Sequence, residues 1–352
     1  MSKKEELYQY VGSMQQLAYV RSLKYDEGQA SEMKAKQVKN GPMSFTVMTD
    51  KCLDIGELSY KGIQLNFLAK QGLQGPVFGK SQDQVKSIMG GLFFTSGLEN
   101  IGAAFEKDGK LYPMHGSMRL APAEHVGSSA GWEGDQYVMS VEGEVRQAAL
   151  FGENVVLRRK IETVFGSRQI VITNEIENEA YEDVSKMQLY HFNVGYPLLS
   201  EKGEIVLPTR EVKDRDDLNY EDASHWNQMS PPIAGATESV YLHDLAADEN
   251  GETFAAYVNE ELGLGLKVEF PKEKLPYFVQ WKSLGAGDYA MGLEPSNSHI
   301  LGRLYHEANG TLPVLKPFEK ETVVLKVTVL DGADEIAEVK REAERLAYRP
   351  EK

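Results

Sequence analysis

Apolar and polar residues alternate with a period of two along most of the chain. Gly, Asn, Asp and Pro break the alternation at short intervals. "FTVMTDKCLDI" alternates around Phe45 and Val47. "NVVLRRKIETVF" and "RQIVITNEIEN" are joined across Gly166 and Ser167, and Ile170, Ile172, Asn174 and Ile176 share one face of the second segment, which predicts a hairpin. "AALFG", "EIVLPT", "TFAAYVN", "LGLKVEF", "YFVQWKSL", "YAMGLEP" and "TVVLKVTVLDG" read as further strands. Short strands recurring without helices between them predict antiparallel sheets packed face to face. Helical spacing occurs chiefly at the ends. Ile336, Val339, Ala343 and Leu346 repeat at helical intervals in "ADEIAEVKREAERLAY", with acids early and bases late, and residues 2–20 suggest a second helix. The charged, turn-rich stretch 214–232 ends in Pro231-Pro232 and reads as a long excursion between sheets, of the kind that forms lids or site walls. No repeat, low-complexity tract or linker divides the chain. The expectation is a mainly β fold: one large antiparallel β-sandwich domain over residues 1–352, with a few peripheral helices.

Composition narrows the function classes. With 38 basic and 53 acidic residues among 352, the net charge is −15, which disfavours nucleic acid or an anionic membrane as partner. A single cysteine, Cys52, rules out an internal disulfide and a multi-cysteine metal site. The charged N-terminus carries no apolar signal core, and no apolar run approaches the roughly 18–20 residues of a membrane span. These features lead to the expectation of a soluble, cytoplasmic protein. Phosphate-cradling loops, dinucleotide fingerprints, the GxSxG elbow and HExxH are all missing, so nucleotide-driven chemistry ranks low.

What remains is proton-transfer chemistry. The seven histidines form neither an HxH nor an i,i+4 pair, so no metal or other cofactor is predicted. His125, His225 and His306 lie in polar surroundings that predict exposure. His191 and Asn193 lie two residues apart in "LYHFNVGYPLL", on one face of a strand that Gly195 and Pro197 bring to an end. His115 precedes a glycine in "LYPMHGSMRL". Glu294 closes the apolar run "YAMGLEP", where burial is costly unless the carboxylate is paired or used. Each of these, taken alone, is as readily an ordinary strand-end side chain. Converging in one cleft, an imidazole and a carboxylate make an acid–base pair. A face with amides, histidines and tryptophans such as Trp226 or Trp281 also suits a sugar.

The ordered set "MTDKCLDIGELSYKGIQL", "GGLFFTSGLENIG", "MHGSMRLAPAEHV", "LYHFNVGYPLL", "ATESVYLHD" and "YAMGLEPSNSHILGR" resembles the aldose 1-epimerase (galactose mutarotase-like) superfamily, in its DUF4432 branch. The resemblance implies a supersandwich with a sugar site in the concave face of one sheet. It implies an isomerase that interconverts anomers by ring opening and closure, with His191 as acid, Glu294 as base and His115 as the second site histidine. It further implies hydroxyl ligands in Asn100 and in Gln280 or Lys282, with Asp244 or His243 in place of the usual aspartate; beside them, Asn193 is expected to fix the imidazole or a sugar hydroxyl and Trp281 to stack on the sugar. The branch commonly carries a basic residue directly after the glycine of the His115 motif. Here the arginine is Arg119, two places later, and an extended backbone would keep it on the face of Ser117 as an anionic or hydroxyl contact to the substrate. Asp50 and Asp54 are expected to be structural, holding the turn of the first sheet. The partner is a small sugar, and a homodimer is compatible with the sequence without being required by it. Two alternatives stand beside the epimerase reading: a non-catalytic sugar-binding protein on the same fold, or a metal-dependent sugar isomerase or lyase using His115, His191 and Glu294.

Overall fold

The computed structural model describes residues 2–75 and 85–348. Two large sheets with antiparallel pairing dominate. The first runs, from edge to edge, Tyr19–Lys24, Lys34–Lys39, Met43–Met48, Asp54–Tyr60, Phe93–Leu98, Met187–Val194, Asp288–Ser296, Tyr277–Gly285, Glu238–Leu245 and Thr209–Asp214, with Ile63–Gln64 paired onto Asp54–Tyr60. The second runs Gly203–Val206, Glu252–Asn259, Leu264–Pro271, Lys320–Asp331, Gln169–Asn178, Asn154–Val164, Gln136–Ala148 and Ala123–Glu133. The protein is thus a mainly β fold of two large antiparallel sheets with a few peripheral helices, as the alternation predicts.

The period-two pattern explains how the sheets meet. Phe45, Phe93, Phe192 and Leu293 of the first sheet and Leu157, Ile172, Leu266 and Leu325 of the second fall into one buried core. Each such side chain contributes about 1.5–3 kcal/mol on leaving water. The predicted hairpin forms, and Ile170, Ile172, Asn174 and Ile176 are all buried on one face. The other face of the first sheet carries a smaller apolar cluster of Ile101, Met187, Leu189, Val240, Val279 and Ile300. Here a strand buries both faces, and Met187–Val194 is buried at every position. The C-terminal helix Ala333–Ala347 lays Ile336, Val339 and Ala343 on Val206, Phe254 and Val258. Its first turn is fastened by Arg168, which donates to both Glu335 oxygens at 2.6 and 2.7 Å.

One polar assembly spans the core. Arg159 of the second sheet donates to Asp54 Oδ1 at 2.6 Å, to the Cys52 carbonyl, to Asn174 Oδ1 and to Thr95 Oγ1. Asp54 also accepts from the Thr95 amide and hydroxyl. Both charged side chains are almost wholly excluded from solvent. Asp54 is therefore structural, as its sequence context suggests, but it ties sheet to sheet rather than holding a turn. Asp50 does serve the local chain, accepting from the Lys34 amide.

Several expectations need correction. "AALFG" is not a strand: Ala148 ends one, and bonds from Ala149 to Glu153 and from Gly152 to Ala149 close a turn that exposes Leu150 and Phe151. Residues 2–20 form only the five-residue helix Lys3–Leu7 and a short 3-10 turn before strand Tyr19–Lys24. The long pair Ala123–Glu133 and Gln136–Ala148 escapes the pattern because its outer face is polar and irregular. Helix Gly302–Asn309, stopped by Gly310 at φ +64°, lies away from the chain ends. His306, on that helix, is buried rather than exposed, held between the His299 amide and Thr311 Oγ1.

Removing one partner of a buried ion pair strands the other, at a cost of about 3–5 kcal/mol. Arg159→Met is expected to lose that much stability in urea denaturation, and Asp54→Leu combined with Arg159→Met to regain most of it. A single variant within 1 kcal/mol of wild type would contradict the role given to the pair.

Candidate active site

Strand register assembles the site on the face of the first sheet turned away from the second. Phe192 pairs with Leu293, which sets His191 opposite Glu294 on the neighbouring strand. On its other side His191 pairs with Phe94. His191 Nε2 lies 3.1 Å from Glu294 Oε1, and both side chains are buried. The contact has ion-pair distance without hydrogen-bond alignment, and neither Glu294 Oε1 nor His191 Nδ1 has a hydrogen-bond partner among the described residues. Phe94 stacks on the His191 ring at 4.5 Å, and Trp281 meets it edge-on at 5.6 Å. Asn193, one strand repeat on, donates to the carbonyls of His191 and Gly91 and so stiffens the backbone beside the imidazole. Between Trp281 and the pair sits Gly292, where a Cβ would lie 2.6 Å from Glu294 Oε1 and 2.8 Å from Trp281 Cβ. Only glycine leaves room for this arrangement.

His115 arrives from a loop. Its φ is +57°, a strained value for a residue with a Cβ, and such strain is concentrated at functional sites. The strain is held by its surroundings. The His115 carbonyl accepts from the Gly97 amide, and a Cβ on the following Gly116 would lie 2.0 Å from the Gly97 carbonyl oxygen. The ring of His115 is 5.5 Å from that of His191, and its Nδ1 shares a 2.9 Å hydrogen bond with Ser96 Oγ. Burial, reinforced by Arg119, holds the His115 pKa down at about 3, so this imidazole is neutral.

The remaining residues singled out in the sequence divide by strand parity. Trp281 and Asn193 share the face of the pair. Gln280, Lys282 and His243 lie on the reverse face, a correction to their expected role as sugar ligands, because strand alternation turns them toward the inter-sheet side. There His243 Nε2 and Gln280 Oε1 are 2.9 Å apart, Gln280 also donates to the Trp226 carbonyl, and Lys282 is paired with Glu221. The 214–232 excursion supplies Glu221 and Trp226 and so packs against the reverse side. Asp244 is exposed and paired with Lys272 at the surface. The Asn100 amide is committed to the Ala103 and Pro113 carbonyls and the Arg303 amide, clamping the loop that carries His115. Arg119 does not continue an extended strand; it lies in the 3-10 turn Met118–Leu120, buried against Ser87. Sequence reading missed Phe94 and Ser96. The available signal was the alternation in "FFTSG", which sends Phe93 and Thr95 one way and Phe94 and Ser96 the other. It also missed Glu238 and Arg215, which reach the rim where Trp281 Nε1 donates to Glu238. Among the described residues, no group of three or more His, Cys, Asp or Glu is arranged to hold a metal ion.

Residues 30–329 match the family model described as "Domain of unknown function (DUF4432)". This chain belongs to the DUF4432 family. No curated protein matches it. Among solved structures, the DUF4432 chain is similar to a Klebsiella pneumoniae protein provisionally named an aldose 1-epimerase, with TM-score 0.88, 19% identity, and 94% of this chain and 88% of that one covered. A galactose mutarotase-like protein from Clostridium acetobutylicum aligns with TM-score 0.62 and 16% identity, over 90% of this chain and 99% of its own. Galactose 1-epimerase from Lactobacillus acidophilus aligns with TM-score 0.60 and 13% identity, over 90% and 100%. At these identities the likeness is one of fold.

The electrostatics of the DUF4432 site are those of a buried acid–base pair. Burial pushes the Glu294 carboxyl well above the ordinary carboxylate range, Glu238 adds to the rise and Arg215 opposes it. Burial, and then the neighbouring His115, holds His191 well below the ordinary imidazole range. A neutral imidazole beside a carboxylic acid holds the same number of protons as an imidazolium beside a carboxylate. One mobile proton therefore belongs to the pair, and burial favours the uncharged arrangement.

An unfolded chain releases the Glu294 proton above about pH 4.5, whereas the folded chain keeps it to higher pH, so stability falls through this group as pH rises. Glu294→Gln removes that penalty. The variant is expected to be more stable than wild type at pH 8, by about 1–2 kcal/mol, and indistinguishable at pH 4. Urea titrations at both values check this, and a variant less stable at pH 8 would contradict the site as described.

Proposed function

We propose that this protein is a cofactor-free aldose 1-epimerase that interconverts the anomers of a sugar by opening and reclosing the ring. The observation that carries the reading is the 3.1 Å approach of His191 Nε2 to Glu294 Oε1, in a buried setting where the carboxylate oxygen has no hydrogen-bond partner. A cyclic hemiacetal presents two oxygens on one carbon, the ring oxygen and the C1 hydroxyl, and ring opening must protonate the first while deprotonating the second. Two proton-carrying atoms this close suit two oxygens on one carbon. His191, as imidazolium, gives its proton to the ring oxygen, and Glu294, as carboxylate, takes the proton of the C1 hydroxyl. The products of that exchange are a neutral imidazole and a carboxylic acid, the uncharged arrangement that burial favours. The free aldehyde then rotates about its C1–C2 bond and recloses by the reverse transfers.

The surrounding residues have parts consistent with this chemistry. Phe94 and Trp281 hold the His191 ring from two sides, and Trp281 offers an apolar surface to the C–H face of a sugar. His115, neutral and anchored on Ser96, orients the ring oxygen or an adjacent hydroxyl through a hydrogen bond. The shared fold of galactose 1-epimerase from Lactobacillus acidophilus adds support from outside the site.

Polarimetry of freshly dissolved α-glucose or α-galactose tests the assignment. Glu294→Gln and His191→Asn are each expected to slow the enzyme-dependent approach to equilibrium rotation by about 10²–10⁴-fold, while sugar binding measured by calorimetry persists. Variants that mutarotate as fast as wild type would remove both residues from the mechanism.

A further inference from the structure

Beyond Phe94, on the side away from Glu294, lies a cavity of about 20 Å³ lined by Met48, Lys51, Asp54, Ser87, Phe94 and Arg119. Lys51 and Arg119 are each only 5% exposed. Arg119 uses its terminal nitrogens on Ser87, but its Nε has no hydrogen-bond partner among the described residues. Among the described residues, the Lys51 ammonium forms no ion pair or hydrogen bond. Asp54 acts to raise the pKa of both cations, but its oxygens are hydrogen-bonded to Arg159 and Thr95, so one carboxylate is shared among three cations. Glu99, the other nearby acid, accepts from the Ser117 amide and from Gln147. Burial, and then the neighbouring Arg119, lowers the Lys51 pKa to about 8, and burial lowers that of Arg119 to about 10. Two buried cations with no ion pair of their own are costly in any protein, and they stand out in a chain of net charge −15.

We propose that Lys51 and Arg119 form a subsite for an oxyanion carried by the sugar substrate, a phosphate, sulfonate or carboxylate, while its anomeric carbon lies at His191 and Glu294. The inference rests on the epimerase reading of that pair and deepens it by naming the substrate class. One aromatic ring separates the two places: Phe94 lines the cavity and also stacks on His191 at 4.5 Å. A sugar lying across Phe94 would present its reducing end to the acid–base pair and a substituent on the far side of its ring to the cations. The cavity has room for about one oxygen atom, so it admits an oxygen of the anion and leaves the sugar ring outside. The arginine displaced to position 119 acquires a use here. Its 3-10 turn carries it away from the hydroxyl face and into this cavity.

The test compares anomer-exchange rates for glucose, glucose 6-phosphate, glucuronate and 6-deoxy-6-sulfoglucose, which separate the three anion sources. At least one anionic sugar is expected to exceed glucose in kcat/KM by about 10- to 100-fold in the wild-type protein. Lys51→Met is expected to erase most of that preference and Lys51→Arg to restore it. Equal rates for glucose and every anionic sugar, or a preference unchanged in Lys51→Met, would overturn the subsite while leaving the epimerase reading intact. If no sugar is interconverted, the epimerase reading fails, and calorimetric titration with inorganic sulfate and phosphate decides the subsite alone. Binding lost in Lys51→Met supports it, and no binding at millimolar concentration overturns it.

Discussion

The Asp54–Arg159 pair is the constraint on which the rest of the structure depends. Strands Asp54–Tyr60 and Phe93–Leu98 are neighbours in the sheet, yet only Ile55 and Phe93 are paired between them. The Asp54 carboxylate replaces the missing ladder by accepting from the Thr95 amide and hydroxyl. Arg159 then bonds Asp54 and Thr95 together and fastens them to Asn174 on the opposite sheet. A buried ion pair adds little net stability compared with an apolar filling. Its geometric demands are strict, and here they set where one sparsely paired strand lies.

That strand is the back wall of the site. Phe93 and Thr95 face the core, so Phe94 and Ser96 must face the other way. Phe94 stacks on His191, and Ser96 holds His115. A structural network on one side of a strand therefore positions chemical groups on the other. The same burial that makes the sheet stable also prevents His191 and Glu294 from carrying charge at little cost. Stability is given up at this pair as pH rises, and in the proposed mechanism the same burial drives its proton transfers.

Much of this was legible in the sequence where short-range rules suffice. Alternation located most strands, and the two-residue spacing of His191 and Asn193 placed them correctly on one face. Glu294 stood out because a carboxylate ending an apolar run calls for an explanation. Three-dimensional register was not legible. Gln280, Trp281 and Lys282 are consecutive, and nothing local says that Trp281 alone faces the pair. Arg119 could be placed by strand parity only if its backbone were extended, and a 3-10 turn invalidated the premise. The partnership of Asp54 with Arg159 spans 105 positions, a separation at which no pattern in a single sequence speaks. His306 was misjudged because polar neighbours in sequence are not neighbours in space.

In the proposed mechanism a buried imidazole–carboxylate pair moves protons on a sugar's anomeric centre. Two-dimensional exchange NMR on the wild-type protein with equilibrated aldoses, neutral and anionic, measures that directly. This mechanism predicts cross-peaks between α and β anomeric protons for at least one sugar, growing with enzyme concentration and at least about 100-fold faster than in buffer. Exchange at the buffer rate for every sugar, at micromolar enzyme and neutral pH, would contradict it.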